Sequence, residues 1–100
     1  MDLEAIERTV ARLHDQEPTF DWVGVYLVAA SGETEVVPDV RRRPGHIACD
    51  IQTRSEVVAP ILRDGRVVGV LDVDSNTLDA FGPSEVKVVE EAAGEIAARN

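Results

Sequence analysis

One cysteine, Cys49, and three carboxylates, Glu56, Asp72 and Asp74, fall within a stretch from Pro44 to Ser75 that is otherwise rich in Val, Ile and Leu. A thiol is a nucleophile only as its thiolate, which a helix N-terminus or a nearby cation favours. His46 and Arg54 are close enough in sequence to help. Carboxylates inside apolar runs are dehydrated, and crowded acids repel, so at least one should keep its proton to unusually high pH. Such a group can act as an acid at neutral pH or pair with an ammonium. A thiol and several acids brought together could therefore form a site for redox or sulfur chemistry. The same residues also fit blander roles: a small buried cysteine, and acids that blunt a solvated strand end. Trp22 and Tyr26 could line a small-molecule pocket or serve as ordinary core aromatics. Arg41, Arg42 and Arg43 read as a solvated loop. His14 and His46 have no metal-ligand spacing with anything, so no metal is expected.

The acids are placed by a hairpin. Two β-rich runs, Ser55 to Arg63 and Arg66 to Asp74, flank Asp64-Gly65, a strong two-residue turn signal. An unbroken ladder from that turn pairs Asp72 with Val57 and Asp74 with Ser55. Asp72 and Asp74 then share a face, and Glu56 projects from the other unless a bulge intervenes. Pro60 makes a bulge or an unpaired amide in the first arm plausible.

The other segments read as the scaffold. Asp2 can cap a first helix, Asp2–His14, that ends by His14 to Gln16 ahead of Pro18, with Leu3, Ile6, Val10 and Leu13 as its apolar stripe. Phe20 to Ala29 reads as a strand with Phe20, Trp22, Tyr26 and Val28 on one face and Val23, Val25 and Leu27 on the other. Two apolar faces predict a central strand covered on both sides, with Gly24 leaving space beside Trp22 and Tyr26. Ala30-Ser31-Gly32 is a turn and Glu35-Val36-Val37 a short extended piece, while Ile47 to Gln52 is ambiguous between a loop and a helical turn. Asn76 to Phe81 is a loop. A last helix, Ser84–Arg99, follows Gly82-Pro83, with Val86, Val89, Ala93 and Ile96 as its buried stripe. Helices at both ends of an antiparallel sheet predict an α+β fold with both helices on one sheet face.

Composition narrows the function. A net charge of -9 argues against nucleic acid and anionic membrane as partners, since no basic face is available to displace counterions. No apolar run approaches transmembrane length. Met1-Asp2-Leu3-Glu4 is acidic and helical in pattern rather than a signal peptide, so a cytoplasmic location is expected. With one cysteine, neither an intramolecular disulfide nor a cysteine-rich zinc site can form.

Taken together, Asp21-Trp22-Val23-Gly24-Val25-Tyr26, Gly32 to Val40, Pro44-Gly45-His46-Ile47-Ala48-Cys49-Asp50, Arg54-Ser55-Glu56-Val57-Val58 and Gly69 to Ser75 resemble the GAF-domain free methionine-(R)-sulfoxide reductases over nearly the whole chain. The resemblance implies a single shortened GAF-like domain over residues 1–100, with Cys49 as the nucleophile that attacks the sulfoxide sulfur, releases methionine and becomes a sulfenic acid. It implies that Glu56, Asp72 and Asp74 surround the substrate and that Trp22 and Tyr26 enclose its methyl end. No bound cofactor is implied; the reductant is an external thiol or a thioredoxin-type protein. The chain departs from the family between Tyr26-Leu27-Val28 and Ser31-Gly32-Glu33, where family members carry an extra segment that covers the pocket and holds the resolving cysteines. A sulfenic acid on Cys49 then has no partner thiol within the chain. The shortened pocket leaves Trp22 and Tyr26 open, which predicts a homodimer. The alternative is a non-catalytic GAF module that binds a small ligand or mediates protein interaction.

Overall fold

Asp64 and Gly65 carry positive φ angles of 51° and 77°, the backbone geometry that a tight two-residue hairpin requires at both central positions. In the computed structural model, which describes residues 3–26, 32–42 and 52–98, this turn joins β3 (Ser55–Arg63) to β4 (Arg66–Ser75). The ladder starts as an unbroken hairpin would, Arg63 facing Arg66 and Leu62 facing Val67. It then shifts: Ile61 faces Gly69, so Val68 has no residue opposite it. The bulge thus sits on the second arm, and Pro60 keeps its regular place opposite Val70. Beyond the bulge Glu56 faces Asp74 and Val58 faces Asp72. The pairing expected from an unbroken ladder is corrected by one residue, and Glu56 joins the face of the two aspartates.

β1 (Trp22–Tyr26) pairs antiparallel with β4, and β2 (Glu35–Val37) with β3, giving the order β1-β4-β3-β2. The hairpin is the centre of the sheet. Among the described residues β1 lies at an edge rather than in the middle, contrary to the expectation from its two apolar faces. A 3-10 turn, Val40–Arg42, follows β2 where a plain loop was expected at Arg41 and Arg42, and the buried Val40 donates its amide to the Arg54 carbonyl at 2.8 Å.

The helices α1 (Leu3–Gln16) and α2 (Pro83–Ala98) cover one face of the sheet, as the α+β reading predicts. Val57, Ala59 and Ile61 of β3 and Leu71 and Val73 of β4 point into this core with no exposed surface. They meet Val89, Ala92, Ala93 and Ile96 of α2 and Leu13 of α1. Phe20 also belongs here. The chain turns at Glu17–Phe20, where the Phe20 amide bonds the Glu17 carbonyl at 3.0 Å, and Phe20 packs on Phe81 at 5.5 Å. It therefore does not share the face of Trp22, because the strand begins only after it. Leu3 is exposed, and Ala5, Thr9 and Leu13 are the residues of α1 that are buried. Gly82 stands just ahead of α2, and its amide donates to Glu85 Oε1 at 3.0 Å, the returning half of a capping box. Hydrogen bonds from Ser84 and from that amide hold the Glu85 carboxyl below its usual pKa. No helix among the described residues is long and apolar enough to cross a membrane.

The bulge can be tested directly. Deleting Val68 removes only the extra residue: every observed pair beyond it, from Ile61 with Gly69 to Ser55 with Ser75, then follows in an unbroken ladder. We expect that variant to keep cooperative thermal unfolding by circular dichroism, and Val68→Ala to keep it with a loss of about 1 kcal/mol. Loss of the cooperative transition in the deletion variant would contradict this account of the register.

Candidate functional site

The sheet face turned away from the helices carries the acids. Side chains directly opposite each other in a ladder share a face. The register therefore places Trp22, Gly24 and Tyr26 of β1, Asp72 and Asp74 of β4, Glu56 and Val58 of β3, and Val37 of β2 on this one side. Across the strands, Trp22 lies opposite Asp74 and Gly24 opposite Asp72. Glu56, Asp72 and Asp74 are each half-buried, and one carboxylate oxygen from each lies within 4.8 Å of the other two. Three of the residues singled out by sequence thus converge, which a merely solvated strand end would not do.

Burial and crowding change what these acids are. Asp72 is pushed up to about 7 from 3.8, first by burial and second by the neighbouring charge of Glu56, with a hydrogen bond to Asp74 working the other way. Its Oδ1 is buried and has no hydrogen-bond partner among the described residues. A carboxyl in that state holds a proton at neutral pH and can donate it. Three oxygens at this spacing could also ligate a hard divalent cation, which prefers carboxylates. A proton on Asp72 relieves the same repulsion without one.

Trp22 and Tyr26 stand beside the acids. Their rings stack at 5.9 Å with 27° between planes, and they are 42% and 44% exposed. They are a wall with an open side, not core aromatics. Cys49 and His46 lie outside the described residues, as does the region Ile47 to Ile51. Arg54 is described: its amide bonds the Ser75 carbonyl at 2.8 Å, and it directly precedes the strand that carries Glu56.

Two serines that sequence reasoning passed over hold the end of the hairpin next to the acids. Ser55 and Ser75 face each other and are fully buried. The Ser55 hydroxyl donates to the Thr77 carbonyl at 2.5 Å and accepts from the Ala80 amide at 3.3 Å. The Ser75 hydroxyl accepts from the Thr77 amide at 3.1 Å, and Asp21 Oδ2 accepts from the Asn76 amide at 2.7 Å. The signal was present: serine ends an otherwise apolar row on each strand, and a buried hydroxyl needs partners.

The raised pKa of Asp72 has a thermodynamic sign. From 3.8 up to about 7 the folded protein keeps a proton that the unfolded chain has released. The contribution of Asp72 to stability is therefore present in acid, falls as pH rises through that window, and is lost above it. Replacing Asp72 with Asn removes the dependence. The melting temperature of Asp72→Asn relative to wild type should rise between about pH 4 and about pH 8. A constant difference in melts across that range would show that Asp72 titrates normally.

Known proteins share this fold. A family model described as GAF domain matches residues 3–99. A free methionine-R-sulfoxide reductase of Saccharomyces cerevisiae is 44% identical over 66 residues, covering 65% of this chain and 37% of the yeast protein. The chain thus spans little more than a third of that relative's length. The X-ray structure of free methionine-R-sulfoxide reductase from Neisseria meningitidis in complex with its substrate is 33% identical, with a TM-score of 0.81 over 92% of this chain and 73% of that one. The type II free methionine-R-sulfoxide reductase of Thermoplasma acidophilum superposes with a TM-score of 0.87 over 95% of this chain and 89% of that one, at 22% identity, a likeness of fold.

Proposed function

This chain belongs to the GAF-domain family, and we propose that it reduces free methionine-(R)-sulfoxide to methionine. The observation that carries the reading is the acid cluster: a carboxyl with a pKa of about 7 beside two further acids and an open aromatic pair. The names of the yeast and Neisseria relatives support the same reaction.

The chemistry assigns each group a task. Cys49 Sγ attacks the sulfoxide sulfur. Sulfoxide oxygen leaves poorly unless protonated, and the neutral carboxyl of Asp72 is the proton donor. The oxygen leaves as water while an S–S bond joins Cys49 to the substrate sulfur; water then adds to Cys49 Sγ and breaks that bond, leaving a sulfenic acid on Cys49, a released proton, and methionine with its sulfur reduced by two electrons. An external thiol then condenses with the sulfenic acid, releasing water and leaving a mixed disulfide. A second thiol displaces it and restores Cys49. Glu56 and Asp74 are partners for the ammonium of a free amino acid, which a peptide-bound residue lacks. Trp22 and Tyr26 receive the methyl end.

Mass spectrometry after incubation with free methionine sulfoxide should find Cys49 as sulfenic acid or as a mixed disulfide with added thiol, with one methionine formed per oxidised thiol and only the R epimer consumed. Cys49→Ser should abolish the reaction. Asp72→Asn should slow it by about 10²–10⁴-fold, the usual worth of general acid catalysis. The wild-type rate should fall as pH rises above about 7, where Asp72 gives up its proton. An unmodified Cys49 with no methionine released would leave the non-catalytic ligand-binding reading in its place.

A further inference from the structure

We propose that Gly24 is a positioning residue of this site: having no side chain, it lets the Trp22 indole lie on the sheet beside Asp72, where the ring walls that carboxyl off from water. The inference deepens the reductase reading and rests on it only for the catalytic consequence.

Three observations carry it. A Cβ built on Gly24 would lie 2.8 Å from both Cζ2 and Cζ3 of the Trp22 ring and closer still to Cη2. The indole therefore occupies the space a side chain at position 24 would take, and even alanine would push it off. Gly24 lies directly opposite Asp72 across the ladder. On this face Asp72 is flanked by Val58 from β3 and by Gly24 from β1. Glycine alone would leave that second flank open to solvent, and the ring closes it. Tyr26, stacked on the indole at 5.9 Å, backs the ring in that place. Third, Asp72 Oδ1 is buried without a hydrogen-bond partner among the described residues, so the carboxyl is shielded rather than solvated.

The titratable groups that the ladder places on this face are Glu56 of β3, Asp74 of β4, Glu35 of β2 and the Tyr26 phenol of β1, and the charged Arg54 directly precedes the strand that carries Glu56. The helices pack against the opposite face. Substituting Gly24 moves none of these charges. Its effect on Asp72 isolates the shielding by the ring.

The experiment follows the Asp72 carboxyl by carbon-13 NMR titration of the whole protein, alongside emission from the single tryptophan. In Gly24→Ala the Asp72 midpoint should drop toward the ordinary carboxylate range by about one unit or more, and the tryptophan emission should move to longer wavelength. Trp22→Ala, which removes the ring and keeps glycine, should lower the midpoint in the same direction and serves alone if Gly24→Ala does not fold. An unchanged midpoint in folded Gly24→Ala, or in Trp22→Ala, overturns the proposal. These readouts need no turnover, so a protein that fails to reduce methionine sulfoxide still decides the point. If it does reduce it, the alkaline fall in rate should begin at lower pH in Gly24→Ala.

Discussion

Side chains alternate along a strand with a period of two, so one unpaired residue in a ladder exchanges the faces of everything beyond it. In this protein that residue is Val68. Before the bulge the hairpin follows its turn. After it, the apolar row Val57, Ala59 and Ile61 lies against the helices in step with Leu71 and Val73, and Glu56 falls in step with Asp72 and Asp74. The core and the acid cluster are consequences of the same shift. Burying three apolar residues of β3 completely is worth several kcal/mol, and that gain fixes the register that forces three acids together. A proton on Asp72 relieves part of their repulsion.

Much of this was legible from the chain. Asp64-Gly65 located the hairpin, the spacing of Val89, Ala93 and Ile96 located α2, and carboxylates embedded in valine runs marked the site. What was not legible has physical reasons. Nothing about a valine announces a bulge, and Val68 packs partly against the core as a regular strand residue would; the more suggestive Pro60 sits in an ordinary pair. β1 reads as central because both of its faces are apolar, yet its Trp22 and Tyr26 stay partly exposed on the open face of the sheet. Period alone puts Phe20 in the strand, but a turn before Trp22 resets the period. Leu3 fits its helical stripe and still stays exposed, as the first residue of α1.

The paired serines show how a polar group can be structural inside an apolar layer. Their hydroxyls bond the backbone of Thr77 and Ala80, in the segment that leads through the Gly82–Glu85 cap into α2. The strand ends bearing Glu56 and Asp74 are thereby tied to the helix that covers the other face of the sheet. An unmet hydroxyl there would cost about 1–3 kcal/mol, so this end of the hairpin is held more firmly than the exposed turn at Asp64-Gly65.

The strand order carries a consequence for biosynthesis. Both outer strands, β1 and β2, precede the central hairpin in the chain. As the polypeptide leaves the ribosome, Trp22, Val23 and Val25 emerge well before β4, the strand that will pair with them, has been made. The N-terminal half therefore has no sheet to join until the C-terminal half exists, and the apolar residues of β1 stay without their partner strand until then. Once the hairpin and α2 emerge, they are contiguous and can assemble through local contacts, offering an edge on which the waiting strand can dock.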